Sequence, residues 1–183
     1  MADKVFKKND NTMITPHFSA REFDCKCGGN HNTCVNTELV EGLEALYNKL
    51  GCSKIIINSG YRCPQHDKRV GGSGDGTHTR GIAADIVCYD KKNKIIPVSD
   101  VCCAAQDIGF TGIANIDKTY TATHVDVRKN GTWYGDEAVP GGTSGRVTDD
   151  FYDYYGKERV VDETIKITIE FGGKKYKGEL KPE

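Results

Sequence analysis

The sequence predicts a compact fold that mixes helices with strands, and three local patterns carry this prediction. Four leucines between residues 37 and 50 recur at the 3.6-residue spacing of one helix face. Apolar runs at residues 54–58 and 82–88 have the length of buried strands. Apolar and polar residues alternate at 123–128, as in a strand with one buried face. The chain has 183 residues, which is enough for one hydrophobic core.

Two helices are expected from their start and stop signals. The first covers residues 37–50, and either Asn36 or Thr37 can cap its free N–H groups. The second covers residues 99–108 and takes Ser99 as its cap. A glycine follows each helix, where it can adopt the left-handed conformation that ends a helix.

Strands and loops account for most of the chain between the helices and residue 128. Residues 54–58 are predicted to form a buried strand and residues 82–88 a central strand, with a glycine-containing loop at 59–76 between them. In the strand at 123–128, two valines share one face, and His124 shares the other face with two further polar residues.

The chain divides into three parts on composition. Residues 1–16 lack periodicity and are predicted to be a flexible leader, and residues 17–159 form the main domain. Within it, residues 132–156 are rich in Gly, Asp and Tyr and are expected to be surface loops whose tyrosines cover the core. Residues 160–183 are predicted to form a C-terminal β-hairpin that turns at Gly172-Gly173.

Charge and hydropathy exclude several classes of partner. Lys and Arg number 25 and Asp and Glu 26, a balance that argues against a dedicated nucleic-acid binder. No stretch approaches the roughly 18 consecutive apolar residues of a membrane helix, and the polar start lacks the features of a signal peptide. We expect synthesis in the cytoplasm and neither nucleic acid nor membrane insertion. We also expect a monomer.

His78, Asp85 and His124 are the candidate metal ligands. A catalytic zinc site needs three protein ligands and one open position. A loop histidine and a strand aspartate can converge on one ion if Gly81 lets the chain turn between them, and His124 lies on the polar face of its strand. Each histidine alone also fits a surface or hydrogen-bonded role. Asp85 also fits a paired strand-end acid, although burying a carboxylate is costly unless it is paired or metal-bound.

A series of short motifs between residues 17 and 130 resembles the zinc D-alanyl-D-alanine carboxypeptidases, which are related to the vancomycin-resistance dipeptidases and to phage cell-wall endopeptidases. In chain order the motifs are Phe18-Ser19, Glu22-Phe23, Cys27-Gly28, Ser59-Gly60-Tyr61-Arg62, Pro64, His66, Val70-Gly71-Gly72, Thr77-His78, Gly81, Ala83, Asp85 and His124-Val125-Asp126.

The resemblance implies an α+β fold, with a small antiparallel sheet, helices packed around it and a metal cleft on the sheet. It implies that His78, Asp85 and His124 bind Zn²⁺, and that Arg62 binds a substrate carbonyl or carboxylate. An ordinary surface ion pair is the alternative for Arg62. The implied activity is hydrolysis of peptidoglycan stem peptides at the bacterial cell wall, after release from the cytoplasm, as in a phage lysis protein.

One departure from the family pattern concerns the general base. The family commonly has an acidic residue three positions before the last zinc histidine, where this chain has Thr121. Asp126 is on the same strand face as His124 and can either act as the base or orient a ligand or Arg62. Asp117 is a weaker candidate. The missing acid leaves a second function open: a zinc-holding binding module without turnover, since Hedgehog signalling domains resemble this fold.

Eight cysteines raise the question of a second metal. Cys25, Cys27, His31 and Cys34 are spaced closely enough for a structural tetrahedral site. Reduced thiols in a loop, or an adventitious disulfide, are the alternatives, and reduced thiols are the default for a protein without an export signal.

Overall fold

A computed structural model describes residues 1–139, 149–159, 165–171 and 174–180 and has the predicted α+β architecture. The helices are α1 (Thr37–Lys49), α2 (Pro64–Arg69), α3 (Val98–Ile108) and α4 (Phe151–Tyr155), with a short 3-10 helix at Ala20–Phe23. The strands are β1 (Lys4–Phe6), β2 (Met13–Thr15), β3 (Phe18–Ser19), β4 (Thr33–Val35), β5 (Lys54–Ser59), β6 (Ala83–Tyr89), β7 (Gly112–Asn115), β8 (Thr123–Asp126), β9 (Trp133–Asp136), β10 (Ile165–Phe171) and β11 (Lys174–Leu180).

A five-stranded sheet forms the centre of the molecule, in the order β5-β6-β8-β7-β9. Its neighbouring strands are antiparallel except for β7 and β9, which are parallel. The small antiparallel sheet that the resemblance implies is thus present, with one parallel pair added at this edge. Residues 127–132 carry the chain past β7, so β9 joins the sheet beyond that strand and runs in the same direction.

The two faces of the sheet differ in character. Alternate residues of β6 and β8, including Ile86 and Val125, belong to the hydrophobic core. On this side α1 contacts α3, and α3 contacts β7 and β8. Because side chains alternate along a strand, Asp85 and His124 lie on the opposite face. Helix packing thus leaves one face of the central strands for polar residues.

The predicted helices are confirmed, with one change of cap. The side chain of Asn36 accepts a hydrogen bond from the backbone N–H of Leu39 and so caps α1. Helix α3 begins one residue earlier than expected, and its cap position is Pro97 rather than Ser99. The proline ring restricts φ to a value that both extended and helical backbone can adopt. Proline also has no backbone N–H group to satisfy, so it can stand just before the first turn of a helix.

Three predictions for strands and loops are wrong. The strand at 54–58 is half-exposed rather than buried, because β5 is an edge strand and its Ile56 faces outward. The loop at 59–76 contains α2, with Pro64 at the start of the helix, where proline is favoured. The loops at 132–156 contain β9 and α4. The tyrosines of α4 pack on the core around the fully buried Phe151, as expected.

The two ends of the chain contain short strands. In the segment predicted as a flexible leader, β1 pairs with β4 and β2 with β3. At the other end, β10 and β11 form an antiparallel pair outside the central sheet, as the predicted hairpin requires. The turn at Gly172-Gly173 lies outside the described residues. The division at residues 16 and 159 stays a prediction. None of the described helices is long and apolar enough to span a bilayer.

Candidate metal centre

Three ligand atoms converge at the polar face of the central sheet. Asp85 Oδ1 lies 2.9 Å from His124 Nδ1 and 3.2 Å from His78 Nε2, and the two imidazole nitrogens are 3.3 Å apart. A tetrahedral zinc ion with bonds of about 2.0–2.1 Å separates its ligand atoms by about 3.3 Å. The triangle therefore has the dimensions of three ligands of one zinc ion, and all three residues are buried.

Strand register and a tight turn bring these residues together. Asp85 in β6 is paired directly with His124 in β8, so their side chains are cross-strand neighbours. His78 enters from the preceding turn, where Gly81 has a φ of 66°. A Cβ at Gly81 would lie 2.4 Å from the carbonyl oxygen of Cys34, so only glycine fits this turn. The turn predicted at Gly81 thus delivers His78 to the strand pair.

Each histidine is oriented by a hydrogen bond on its other nitrogen. His78 Nδ1 is 2.8 Å from the carbonyl oxygen of Gly60, and His124 Nε2 is 3.1 Å from Asp126 Oδ2. Such partners fix the tautomer of a metal-binding histidine and turn its free lone pair toward the ion. The free lone pairs here are His78 Nε2 and His124 Nδ1, the two nitrogens that face Asp85.

Hydrogen bonds within the triangle shift the pKa values of Asp85 and His124. Burial opposes ionisation of Asp85, but hydrogen bonds from His124 and His78 outweigh it and hold the pKa of Asp85 well below its usual range. Burial likewise lowers the pKa of His124, but hydrogen bonds to Asp126 and Asp85 raise that pKa to about 9. A metal ion must displace the proton on His124, so binding releases it.

Arg62 lies against the ligand triangle. Its guanidinium donates to Asp85 Oδ2, to Ser59 Oγ at 2.8 Å and to Asp67 Oδ1 at 3.5 Å. These bonds occupy three of the five N–H donors of the side chain. Arg62 therefore holds the oxygen of Asp85 that does not face the histidines, and it retains donors for a further partner.

Comparison with known families identifies the chain. The family model described as Peptidase M15 matches residues 16–126, which include the ligand triangle and Arg62. The chain belongs to the peptidase M15 family. A comparison with curated protein sequences gives no match.

Family membership confirms the resemblance seen in the motifs and makes the chain a metallopeptidase in general terms. M15 peptidases depend on zinc, and the donor set of two imidazoles and one carboxylate suits that ion. The matched segment ends at Asp126, so the family comparison includes neither β9 nor the residues that follow it.

Asp126 is a fully buried carboxylate beside the ligand triangle. It has no solvent exposure, and besides His124 it binds Arg128, whose Nε lies 2.9 Å from Oδ1. A Cβ at Gly112 in β7 would lie 2.1 Å from Asp126 Oδ2, so this strand keeps space for the carboxylate only by having glycine. Burial alone would raise the pKa of Asp126, but the bonds to His124 and Arg128 lower it.

The ligand triangle opens into a cleft of about 410 Å³. Its walls include Trp133, whose ring meets that of His124 edge-on with centroids 6.0 Å apart, and Glu137, which follows β9. Of the described residues that line the cleft, Glu137 is the one carboxylate besides Asp85. Burial and the neighbouring charge of Asp85 raise its pKa. Neither residue was predicted from the sequence, because residues 132–156 have the composition of surface loops.

Thr121 and Asp117 form a separate polar turn. Thr121 donates to Asp117 through its backbone N–H at 2.9 Å and through its hydroxyl at 2.5 Å. Burial opposes ionisation of Asp117, but these bonds lower its pKa. Neither residue is among those that line the cleft.

The predicted second metal group is only partly brought together. Cys25 and Cys27 are close in space, but their third neighbour is Cys63 rather than Cys34, which lies in β4 beside β1. The inclusion of Cys34 is therefore wrong as a matter of geometry. All eight cysteines are free thiols.

Proposed function

We propose that the protein is a zinc-dependent peptidase that hydrolyses peptide bonds in peptidoglycan stem peptides, as a carboxypeptidase or an endopeptidase. The observation that carries this proposal is the zinc-sized triangle of His78, Asp85 and His124 at the base of an open cleft, with Arg62 beside it. In the proposed setting the protein acts at the bacterial cell wall after release from the cytoplasm, as a phage lysis protein does.

The proposed chemistry divides between an ion and the side chains around it. Zinc held by the triangle would polarise a peptide carbonyl and lower the pKa of water in the cleft. Arg62 has N–H donors left after its bonds to Asp85, Ser59 and Asp67, and these suit a substrate carbonyl or terminal carboxylate. A guanidinium aimed at developing negative charge stabilises the transition state more than the bound substrate.

Glu137 is the proposed general base. The attacking water must lose a proton and the leaving amine must gain one, and a single carboxylate can accept the first and deliver the second. Glu137 lines the same cleft as the triangle, and its backbone N–H donates to the carbonyl of Asn115 at 3.0 Å, which fixes it at the end of β9. A partly buried carboxyl group with a raised pKa suits proton transfer near neutral pH.

Asp126 is better suited to orient His124 than to act as the base. Both of its oxygens are bound by Arg128, one of them also faces His124, and it has no exposure to the cleft. A carboxylate in this position behind a zinc histidine fixes the imidazole and raises its basicity. Of the two roles that the sequence left open for Asp126, the contacts favour the second.

Digestion of purified peptidoglycan by the zinc-loaded protein tests the proposal, with the products identified by mass spectrometry. We expect new peptide termini, and the masses identify the bond that is cut: release of D-Ala indicates a carboxypeptidase, whereas an internal cut indicates an endopeptidase. Asp85→Ala is the matched control. Binding to peptidoglycan without any new terminus would replace the proposal by its rival, a zinc-holding binding module.

A further inference from the structure

Three thiols from two distant parts of the chain meet beside the catalytic cleft. The sulfur atoms of Cys25, Cys27 and Cys63 all lie within 4.8 Å of one another. Cys25 and Cys63 are buried and Cys27 is half-buried. Two of these residues follow the 3-10 helix, and the third precedes α2 by one residue. Cys63 is far from the other two in the sequence, so the tertiary fold brings the three thiols together.

His31 lies next to Cys27, although its imidazole is outside the group of three sulfurs. A Cβ built on Gly29 would lie 2.5 Å from His31 Nε2 and 3.3 Å from Cys27 Sγ, so the imidazole nitrogen and the sulfur border the same small space. The side chain of His31 is exposed and belongs to the loop that carries Cys27. A rotation of this side chain would have to bring its imidazole closer to the three sulfurs to complete a fourfold set of ligands.

Backbone N–H groups are directed at two of the sulfurs. The N–H of Cys63 donates to Cys25 Sγ at 3.3 Å, and the N–H of Gly29 donates to Cys27 Sγ, also at 3.3 Å. The second bond depends on the left-handed conformation of Gly28, whose φ is 82°. Donors aimed at sulfur stabilise the thiolate, which is the form that binds metals.

We propose that Cys25, Cys27, Cys63 and His31 bind one structural zinc ion in a tetrahedral site. Three thiolates and one imidazole are a standard ligand set for structural zinc, which leaves no open position for a substrate. Each thiol loses its proton to solvent when the ion binds, so the ligand set carries three negative charges. This proposal does not rest on the proposed hydrolysis, since none of the four ligands belongs to the His78–Asp85–His124 centre.

The ion has a clear mechanical role at this position. Cys63 directly follows Arg62, and the backbone N–H of Tyr61 donates to the carbonyl of Phe23 at 2.9 Å. A metal that joins Cys63 to Cys25 and Cys27 therefore fixes the turn that carries Arg62 to the loop after the 3-10 helix. This zinc would hold Arg62 in place from outside the catalytic cleft.

Metal counting on the whole protein tests this inference. After exhaustive dialysis against trace zinc, the wild-type protein is expected to hold two zinc ions per chain, Cys63→Ser one and Asp85→Ala one. Cys34→Ser is the matched control, because it removes a nearby thiol outside the site, and it should keep two. Two ions in both Cys63→Ser and Cys27→Ser, or a single ion in the wild type that Asp85→Ala removes, would overturn the proposal.

A measurement on the unaltered protein covers the case in which a cysteine variant does not fold. Cobalt replacing zinc is expected to give the intense near-ultraviolet absorption of sulfur-to-metal charge transfer, which the His-Asp-His centre cannot produce. In the native zinc protein, three thiols should become reactive toward a thiol reagent only when a chelator is added. Cobalt loading without the sulfur band, or no chelator-dependent thiols, would show that these cysteines bind no metal.

Discussion

The His78–Asp85–His124 triangle and the Cys25–Cys27–Cys63 group are built differently, although they lie close together in the fold. The triangle takes two ligands from paired strands, orients both histidines through hydrogen bonds and opens into a cleft. The cysteine group takes its ligands from loops, and backbone N–H groups point at its sulfurs. Open coordination with imidazole and carboxylate suits catalysis, whereas closed coordination by thiolates suits a structural role. The difference supports the two proposals, in which the triangle acts on substrate and the cysteine group stabilises the chain.

Removal of a triangle ligand should have the largest effect and is the sharpest way to separate the two groups. Asp85→Ala deletes the carboxylate that both histidines and Arg62 face, and we expect it to abolish turnover and to remove the zinc of the triangle. The cysteine zinc should stay. Metal analysis together with a peptidoglycan digest gives both readouts. Loss of all metal from Asp85→Ala would mean that the two groups are not independent.

Glu137→Gln should come next, with turnover reduced by about 10²–10⁴-fold, the usual contribution of a general base. Glutamine keeps the size and hydrogen bonding of the side chain, so both zinc ions should remain. The measurement is kcat on a soluble stem peptide. Asp117→Asn is the control, since Asp117 is a nearby acid that does not line the cleft and should tolerate the change. Normal kcat in Glu137→Gln would require another base.

Arg62→Ala should lower kcat/KM by about 10²–10³-fold while the zinc count is unchanged, as expected for loss of one donor to a developing oxyanion. Arg62→Lys should recover only part of this loss, because an ammonium cannot reproduce the planar fork of a guanidinium. Steady-state kinetics on the same soluble peptide provide the test. Full activity in both variants would make Arg62 an ordinary partner of Asp85 and Asp67.

The sequence predicts the triangle but not the cysteine group, and the reason is the kind of signal that marks each of them. The triangle could be predicted because His78, Asp85 and His124 match the motifs of the carboxypeptidase resemblance, and the turn at Gly81 is consistent with their convergence. Cys63 could not be found in the same way, since only tertiary contacts, such as the bond from Tyr61 to Phe23, bring it to Cys25. Sequence proximity favoured Cys34 instead, but its strand pairs with β1.

Glu137 was missed for a topological reason. The strand that precedes it joins the sheet on the far side of β7, and no local pattern in residues 132–156 specifies that crossing. The helices could be predicted more closely, because capping and glycine stops are local signals: Asn36 and Gly109 are both found at the ends of helices. Elements set by local chemistry were therefore predictable, whereas residues brought in by the order of strands were not.

Asp126→Asn should have a smaller effect than the changes in the cleft. Asparagine keeps the shape of the side chain but weakens the hydrogen bond that orients His124, so we expect about 10–100-fold weaker zinc binding at the triangle. With saturating zinc, most of the turnover should return. Competition with a chromophoric chelator measures the affinity, and kcat at high zinc separates orientation from proton transfer. If the affinity for zinc is unchanged and turnover is abolished, Asp126 acts as the base instead.

Removal of the C-terminal hairpin should have the smallest effect. Neither metal group uses a residue beyond Glu137, and among the described residues β10 and β11 pair only with each other. A chain that ends at Arg159 should therefore keep two zinc ions and cleave soluble peptides at the rate of the full chain. Arg159 itself must stay, because its guanidinium pairs with Asp107 and Asp150 at 2.8 Å and joins α4 to α3. Activity on whole peptidoglycan is the second readout: a loss there with normal cleavage of soluble peptides would assign the hairpin to attachment at the wall. Loss of either zinc ion on truncation would contradict the prediction and make the hairpin part of the folded core.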